Sequence, residues 1–255
     1  MPGFIPRYFF ENTEDIHTMY KRIVLKLSGE TLAPVEGEQS ESPVYSRPRV
    51  EAAAKMLMKI AEKGIELVVI LGGGNIWRGR FDSNMDAVAG DQMGMLATIM
   101  NALCAQEAIT RLGGKAKVFT AQEMTRFAEL YTRDRADEAL KQGNIVFVAG
   151  GSGNPFFTTD TAAALRAAEL HADAVFKGTT VDGIYDSDPR KGPANLIKDI
   201  TYKQCIDMGI AVMDTTAFVI CKDKGVPVIR VFNMDDLDNI VRVADGEDIG
   251  TVAHM

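Results

Sequence analysis

Four short segments of the sequence bring glycine, lysine and hydroxyl groups together: Lys26-Leu27-Ser28-Gly29, Gly72-Gly73-Gly74-Asn75, Gly150-Gly151-Ser152-Gly153 and Lys177-Gly178-Thr179-Thr180. Each follows or ends an apolar run of strand length, at residues 22–27, 67–71, 145–149 and 174–177. Glycine lets backbone N–H groups approach a ligand with no Cβ between them. After the third segment, Thr158, Thr159 and Asp160 are good N-cap residues for an Ala- and Leu-rich helix from residue 162. A strand end, a glycine loop and a helix N-terminus together make an anion site. An ordinary strand-to-helix turn accounts for one such segment taken alone. Four of them suit two phosphorylated ligands that face each other. Arg78 adds a guanidinium that can grip a phosphate with both arms. Lys26 is a cation inside an apolar strand; buried lysines are rare unless paired, and its bland alternative is a lysine on a sheet edge.

The elements that must position these groups alternate from end to end. Helical spacing marks residues 49–63, which end at Gly64, and residues 88–112, 133–142 and 162–171. Thr201 with Gln204 resembles a capping box before a helix to about Gly209, and Asp214 caps another to Gly225. Residues 236–244 form the last helix; further strands are expected at 116–119, 228–232 and 249–253. Residues 32–48 carry three prolines and read as a loop. The alternation predicts an α/β fold: a three-layer sandwich with a mostly parallel central sheet and helices on both faces. Ligands of such sheets bind at the carboxyl ends of the strands, where the four segments lie. Asp91, near the start of its helix, suits either the helix dipole or a ligand. Met93, Met95 and Met100 recur at helical spacing and read as core packing. Residues 1–18 show no clear period, so we expect an N-terminal extension at 1–18 and a single domain over 19–255. A chain that starts at Met19 should keep its catalysis.

Composition narrows the class. Of 255 residues, 46% are hydrophobic and 25% charged, as in an ordinary soluble globular protein. The net charge of −7 argues against non-specific nucleic-acid binding but not against a nucleotide ligand. Three cysteines without C-x-x-C give neither a disulfide framework nor zinc spacing, and three scattered histidines suggest no metal cluster. No apolar run approaches the ~18 residues of a membrane span. These features point to a reducing, cytoplasmic setting. Neither G-x-x-x-x-G-K-[ST] nor G-x-G-x-x-G is present, which lowers the case for a P-loop or dinucleotide-binding protein.

A resemblance joins the segments. Lys26-Leu27-Ser28-Gly29-Glu30, Gly72-Gly73-Gly74-Asn75 with Arg78-Gly79, Gly90-Asp91-Gln92-Met93-Gly94-Met95, Gly153-Asn154-Pro155-Phe156-Phe157-Thr158-Thr159-Asp160, Val181-Asp182-Gly183-Ile184-Tyr185 with Asp188-Pro189, and Arg230-Val231-Phe232-Asn233 occur in this order. Together they resemble the bacterial UMP kinase branch of the amino-acid kinase family. The lysine-glycine and triple-glycine loops are family-wide, whereas the Asp-Gln-Met-Gly-Met and Asn-Pro-Phe-Phe-Thr-Thr-Asp runs are specific to that branch.

The resemblance implies the amino-acid kinase fold and transfer of the ATP γ-phosphoryl group to UMP, with Mg²⁺. By position, Lys26, Leu27, Ser28 and Gly29 would hold the ATP phosphates, with Gly74 and Arg78 alongside. Thr179, Tyr185 and Asp188 would line the adenosine pocket. Gly73 would meet the UMP phosphate and Asp91 the ribose hydroxyls. Ser152, Gly153, Asn154, Pro155, Phe156, Phe157, Thr158 and Thr159 would hold uracil and phosphate. Lys26 and Asp160 would be the catalytic pair, Asp160 organising Lys26 or the metal, or serving only as an N-cap. A homohexamer, inhibition by UTP and activation by GTP are also implied. The alternatives are a family member that phosphorylates a carboxylate or carbamate, and a nucleotide-binding protein that has lost catalysis.

Overall fold

The computed structural model describes residues 20–78, 85–189 and 191–255. The expected extension at 1–18 and Gly79 of the Arg78-Gly79 motif lie outside them. Strands β1 (Arg22–Leu27), β2 (Glu66–Leu71), β3 (Ala116–Thr120), β4 (Glu129–Leu130), β5 (Ile145–Ala149), β6 (Ala174–Thr179), β9 (Asp199–Thr201), β10 (Val228–Asn233) and β11 (Thr251–His254) form one sheet. Its order is β4-β3-β5-β2-β1-β6-β10-β11-β9. Neighbours from β4 through β10 are parallel, and β11 runs antiparallel to β10. A separate two-stranded ribbon, β7 (Ile184–Tyr185) with β8 (Leu196–Ile197), stands beyond the end of β6.

Helices cover both faces, because the central strands are apolar on both sides. Under one face, α1 (Arg47–Glu62), α2 (Ala87–Arg111) and α7 (Asp238–Ala244) pack on Ile23, Leu25, Leu67, Val69 and Phe147. Under the other, α3 (Arg133–Lys141), α4 (Thr159–Glu169), α5 (Tyr202–Asp207) and α6 (Thr215–Lys224) pack on Val24, Val68, Val146, Val175 and Ile229. The signal at α6 holds: Asp214 caps it and it ends at Gly225 with φ of 72°. The cap of α1 is Ser46, with Pro48 in the first turn, inside the stretch expected as a loop. The capping box of Thr201 and Gln204 is fully formed.

One alternative is excluded and two expectations change. Lys26 is not on an edge, since β1 lies between β2 and β6. Within the supposed loop 32–48, Leu32 closes a 3-10 turn (Gly29–Leu32) and α1 begins at Arg47. Met93 and Met100 are exposed, by 39% and 51%, and so are not core packing. With Leu96, 51% exposed, they form an apolar stripe on the outer side of α2.

Candidate active site

Strand alternation decides which side chains meet. Ile23, Leu25 and Leu27 point toward α1 and α2, so Val24 and Lys26 face the α4 layer. β6 runs parallel to β1 with Lys177 opposite Lys26 and on the same face. Both lysines thus stand near the carboxyl ends of neighbouring strands, and the first turn of α4 meets them there. Its Asp160 takes both: Lys177 Nζ lies 2.5 and 2.6 Å from the two carboxylate oxygens, and Lys26 Nζ 3.2 Å from Oδ1. The N-cap is Thr158, whose hydroxyl oxygen accepts from the N–H groups of Asp160 and Thr161. Asp160 is therefore a bridge between two lysines, and the pure N-cap role does not hold.

The electrostatics follow from burial. Asp160 and Lys177 are only 8% and 7% exposed. Burial raises the Asp160 pKa, but the charges of Lys26 and Lys177 outweigh it and hold the carboxyl below its usual range. Burial, and then the like charge of Lys26, bring Lys177 down from 10.5 to about 8 against the pull of Asp160. Two cations share one carboxylate beside the positive end of α4, leaving a net positive centre suited to phosphate.

Beside it opens a cavity of about 630 Å³ between the β2 glycine loop, the first half of α2 and the β5–α4 loop. Gly73, Gly74, Arg78, Asp91, Asn154, Phe157 and Thr159 lie on its wall. α2 comes close because Gly73 lacks a side chain: a Cβ there would sit 2.8 Å from Ala97 Cβ and from the Gly94 carbonyl oxygen. Trp77 Nε1 donates to the Gly90 carbonyl at 2.9 Å, and the Gly150 N–H to Thr98 Oγ1 at 2.9 Å. Asp91 Oδ2 accepts from the Phe156 N–H at 2.7 Å. Phe156 has φ of 71°, a conformation that costs a non-glycine residue about 1–3 kcal/mol and that this bond helps to hold.

Other expected residues serve the loop rather than the wall. Ser152 Oγ bonds both N–H and carbonyl of Asn154, the Gly153 carbonyl accepts from Gln122 Nε2 at 2.6 Å, and Pro155 is partly buried. The Thr158 hydroxyl donates to Asp214. Leu27 ends β1, Ser28 caps the 3-10 turn and Gly29 begins it. Arg78 pairs with Glu30 and donates to the Gly74 carbonyl at 2.9 Å. Gly74 and Arg78, expected beside ATP, share the cavity wall with Asp91, so the two expected nucleotide sites meet at this loop. Thr179, the last residue of β6, and Tyr185 and Asp188 beyond it stand apart, where Tyr185 and Asn233 both bond Asp182.

Sequence reasoning noticed Lys177 at a strand end but gave it no role. The signal was available: Lys26 and Lys177 each lie two residues beyond a valine, Val24 and Val175, and so share its face. Asp214 was read only as a cap; it also accepts from Thr161 Oγ1 at 2.9 and 3.0 Å, which ties the starts of α4 and α6 together.

A mostly parallel sheet whose strand order changes direction between β1 and β6, with a lysine–aspartate–lysine bridge at that point, is a scaffold suited to phosphoryl transfer. The chain belongs to the amino acid kinase family, which it matches over residues 21–233. Within that family it is similar to the uridylate kinases of Bacteroides thetaiotaomicron and Parabacteroides distasonis, at 46% and 47% identity over 238 residues. Those alignments span 92% of this chain and 98% of each relative. Among solved structures it is similar to UMP kinase from Bacillus anthracis, with a TM-score of 0.85 and 34% identity over 92% of this chain and 96% of that one. UMP kinase from Ureaplasma parvum gives 0.84 and 32%, over 92% and 99%.

Proposed function

We propose that this chain transfers the γ-phosphoryl group of ATP to UMP, giving UDP and ADP. The observation that carries the reading is the Lys26–Asp160–Lys177 bridge beside a cavity of nucleotide size, walled by Asp91 and Phe157. The uridylate kinase relatives support uracil as the base.

UMP is already largely dianionic at neutral pH, since a phosphate monoester has its second pKa near ~6. The acceptor needs no general base. One of its phosphate oxygens attacks the γ-phosphorus, a P–O bond forms, and the bond to the β,γ-bridging oxygen breaks, with its electron pair leaving on ADP. What the protein must do is align two anions and cancel their repulsion. Lys26 and Lys177 put positive charge beside the negative charge of the group in transit, and Asp160 keeps both in place. Asp91 receives the ribose hydroxyls, while the β2 glycine loop presents N–H groups to phosphate. Among the described residues no three His, Cys, Asp or Glu side chains group into a metal site. That donor set fits Mg²⁺ carried in on the triphosphate, held mainly by phosphate and water, where it would neutralise charge.

The same reading extends to regulation and assembly. UTP would inhibit by overlapping the UMP pocket, and GTP is the expected activator. The stripe of Met93, Leu96 and Met100 supports self-association, with a hexamer as the expected state. A cytoplasmic setting fits the ATP requirement and three free thiols. No helix among the described residues is long and apolar enough to cross a membrane.

The test is a coupled ADP-release assay with ATP and Mg²⁺, offering UMP, CMP, dCMP and N-acetylglutamate. Rapid release with UMP alone is expected. Release with the acid substrate, or with none, would overturn the assignment.

A further inference from the structure

Asn101 is fully buried in the middle of α2, and no step above uses it. A buried amide is retained only where its bonds are made. Here Nδ2 donates to the Gly72 carbonyl at 2.6 Å and to Asn75 Oδ1 at 2.8 Å, and Oδ1 accepts from Asn75 Nδ2 at 3.2 Å. Asn75 Nδ2 also reaches the Val44 carbonyl at 3.2 Å. The Gly72 N–H donates to the Leu27 carbonyl at 2.9 Å, so β1 holds this peptide from one side and α2 from the other.

Gly29 closes the junction. A Cβ at Gly29 would collide with Asn75 Oδ1, and would sit 2.6 Å from the Gly72 carbonyl oxygen and 2.9 Å from Asn101 Nδ2. The two amides are thus the surface on which the loop after β1 rests against the loop after β2. The first loop is assigned above to the ATP phosphates, and the second carries Gly73, assigned to the UMP phosphate, next to Gly74 on the ATP side.

We propose that the Asn75–Asn101 pair is a positioning clasp, which fixes the separation of the two glycine loops and thereby of the two phosphates. The proposal rests on the two-nucleotide reading of the site. Transfer between phosphates depends on alignment, and an error of about 1 Å costs on the order of 100-fold in rate. A clasp of this kind acts on kcat and leaves each nucleotide's own binding nearly intact.

The experiment compares Asn101→Asp, Asn75→Ala and Asn75→Asp with the parent. Asn101→Asp sets a carboxylate against the Gly72 carbonyl and removes its donor. Asn75→Ala removes the acceptor for Asn101. Asn75→Asp keeps that acceptor but loses the donor to Asn101 Oδ1 and the Val44 carbonyl, so it breaks one half of the pair. The readouts are kcat, separate calorimetric affinities for UMP and a non-hydrolysable ATP analogue, and melting by circular dichroism.

Expected are a 10- to 100-fold fall in kcat for Asn101→Asp and Asn75→Ala, and affinities within about threefold of the parent. Asn75→Asp, with one of the paired bonds kept, should lose less in kcat than Asn75→Ala but not reach the parent. If Asn101→Asp does not fold, the Asn75 pair carries the same comparison. Parent-like kcat in folded variants overturns the clasp, and so does an equal fall in kcat and both affinities. A parent without turnover on UMP overturns the kinase reading, and the clasp with it.

Discussion

Replacing Asp160 by asparagine keeps the side-chain volume and removes the charge that two lysines share. Their nitrogens lie 3.2 and 2.5 Å from one carboxylate oxygen, so they are at most about 5.7 Å apart. Their mutual repulsion is already part of why Lys177 sits near 8. What the substitution removes is the opposing pull of Asp160, which at an effective dielectric of ~20 and about 4 Å between charge centres is worth about 4 kcal/mol, or roughly three pKa units. Lys177, already brought down to about 8, would then lose its proton below neutrality. One of the two positive charges at the transfer point would be gone at pH 7.5. Loss of one such preorganised charge costs on the order of 10²–10³-fold in rate.

The assay is kcat/KM for UMP from pH 6.5 to 9.5, which reports groups of the free enzyme. The parent should lose activity as pH rises through about 8, the pKa of Lys177. In Asp160→Asn that limb should move toward acid by about three units, so most of the deficit appears at neutral pH. Stability carries the same signature. Because the folded pKa of Lys177 lies below its ordinary 10.5, the folded chain sheds this proton first. The group's contribution to stability therefore rises as pH climbs from about 8 to 10.5, and in the variant that rise begins at lower pH. Breaking the buried bridge should cost about 3–5 kcal/mol in urea unfolding, less what deprotonation recovers. An Asp160→Asn enzyme with parent-like kcat/KM at pH 7.5 and an unmoved alkaline limb would refute the reasoning.

Three further perturbations test other parts of the structure. Gly73→Ala would place its methyl 2.8 Å from Ala97 Cβ and the Gly94 carbonyl. The overpacking should cost about 1–3 kcal/mol and raise the KM for UMP more than that for ATP, which steady-state kinetics would read. Asp214→Ala removes the cap of α6 and the acceptor for Thr158 and Thr161, a loss of about 2–4 kcal/mol by urea unfolding. Asp214→Asn should lose much less, because asparagine also caps. Leu96→Glu puts a charge into the apolar stripe of α2 and should lower the molar mass measured by light scattering; an unchanged mass would remove that face from the assembly.

What the sequence made legible was local. The caps of α5 and α6 depend on residues three apart, so they show in the sequence itself. The strand after Tyr20 and the Gly-rich ends of β2 and β5 were also readable, because apolar runs and glycines act where they stand. Lys26 shows the limit. Its face was implied by alternation, but its neighbours Asp160 and Lys177 arrive well over 100 residues later, and only strand order puts them beside it. Met93 and Met100 keep helical spacing, yet spacing alone does not say which side of a helix is covered. β4, β7 and β8 have two residues each, too short for any period. Asn101 looked like any polar residue in a long helix until Gly72 and Asn75 were seen beneath it.

The place of β1 bears on how the chain comes together during synthesis. β2 can pair with β1 as soon as some 70 residues have formed, but β6, on the other flank, is not made until residue 179. Until then β1 is a border strand that carries a lysine, which discourages pairing with other chains. When β6 docks, the same ammonium passes into the interior and meets Asp160, which has just been made on α4. One side chain thus guards the nascent half-sheet and later serves the finished site. A ribosome-bound fragment that stops before β6 should hold the outer strands yet lack the charged bridge.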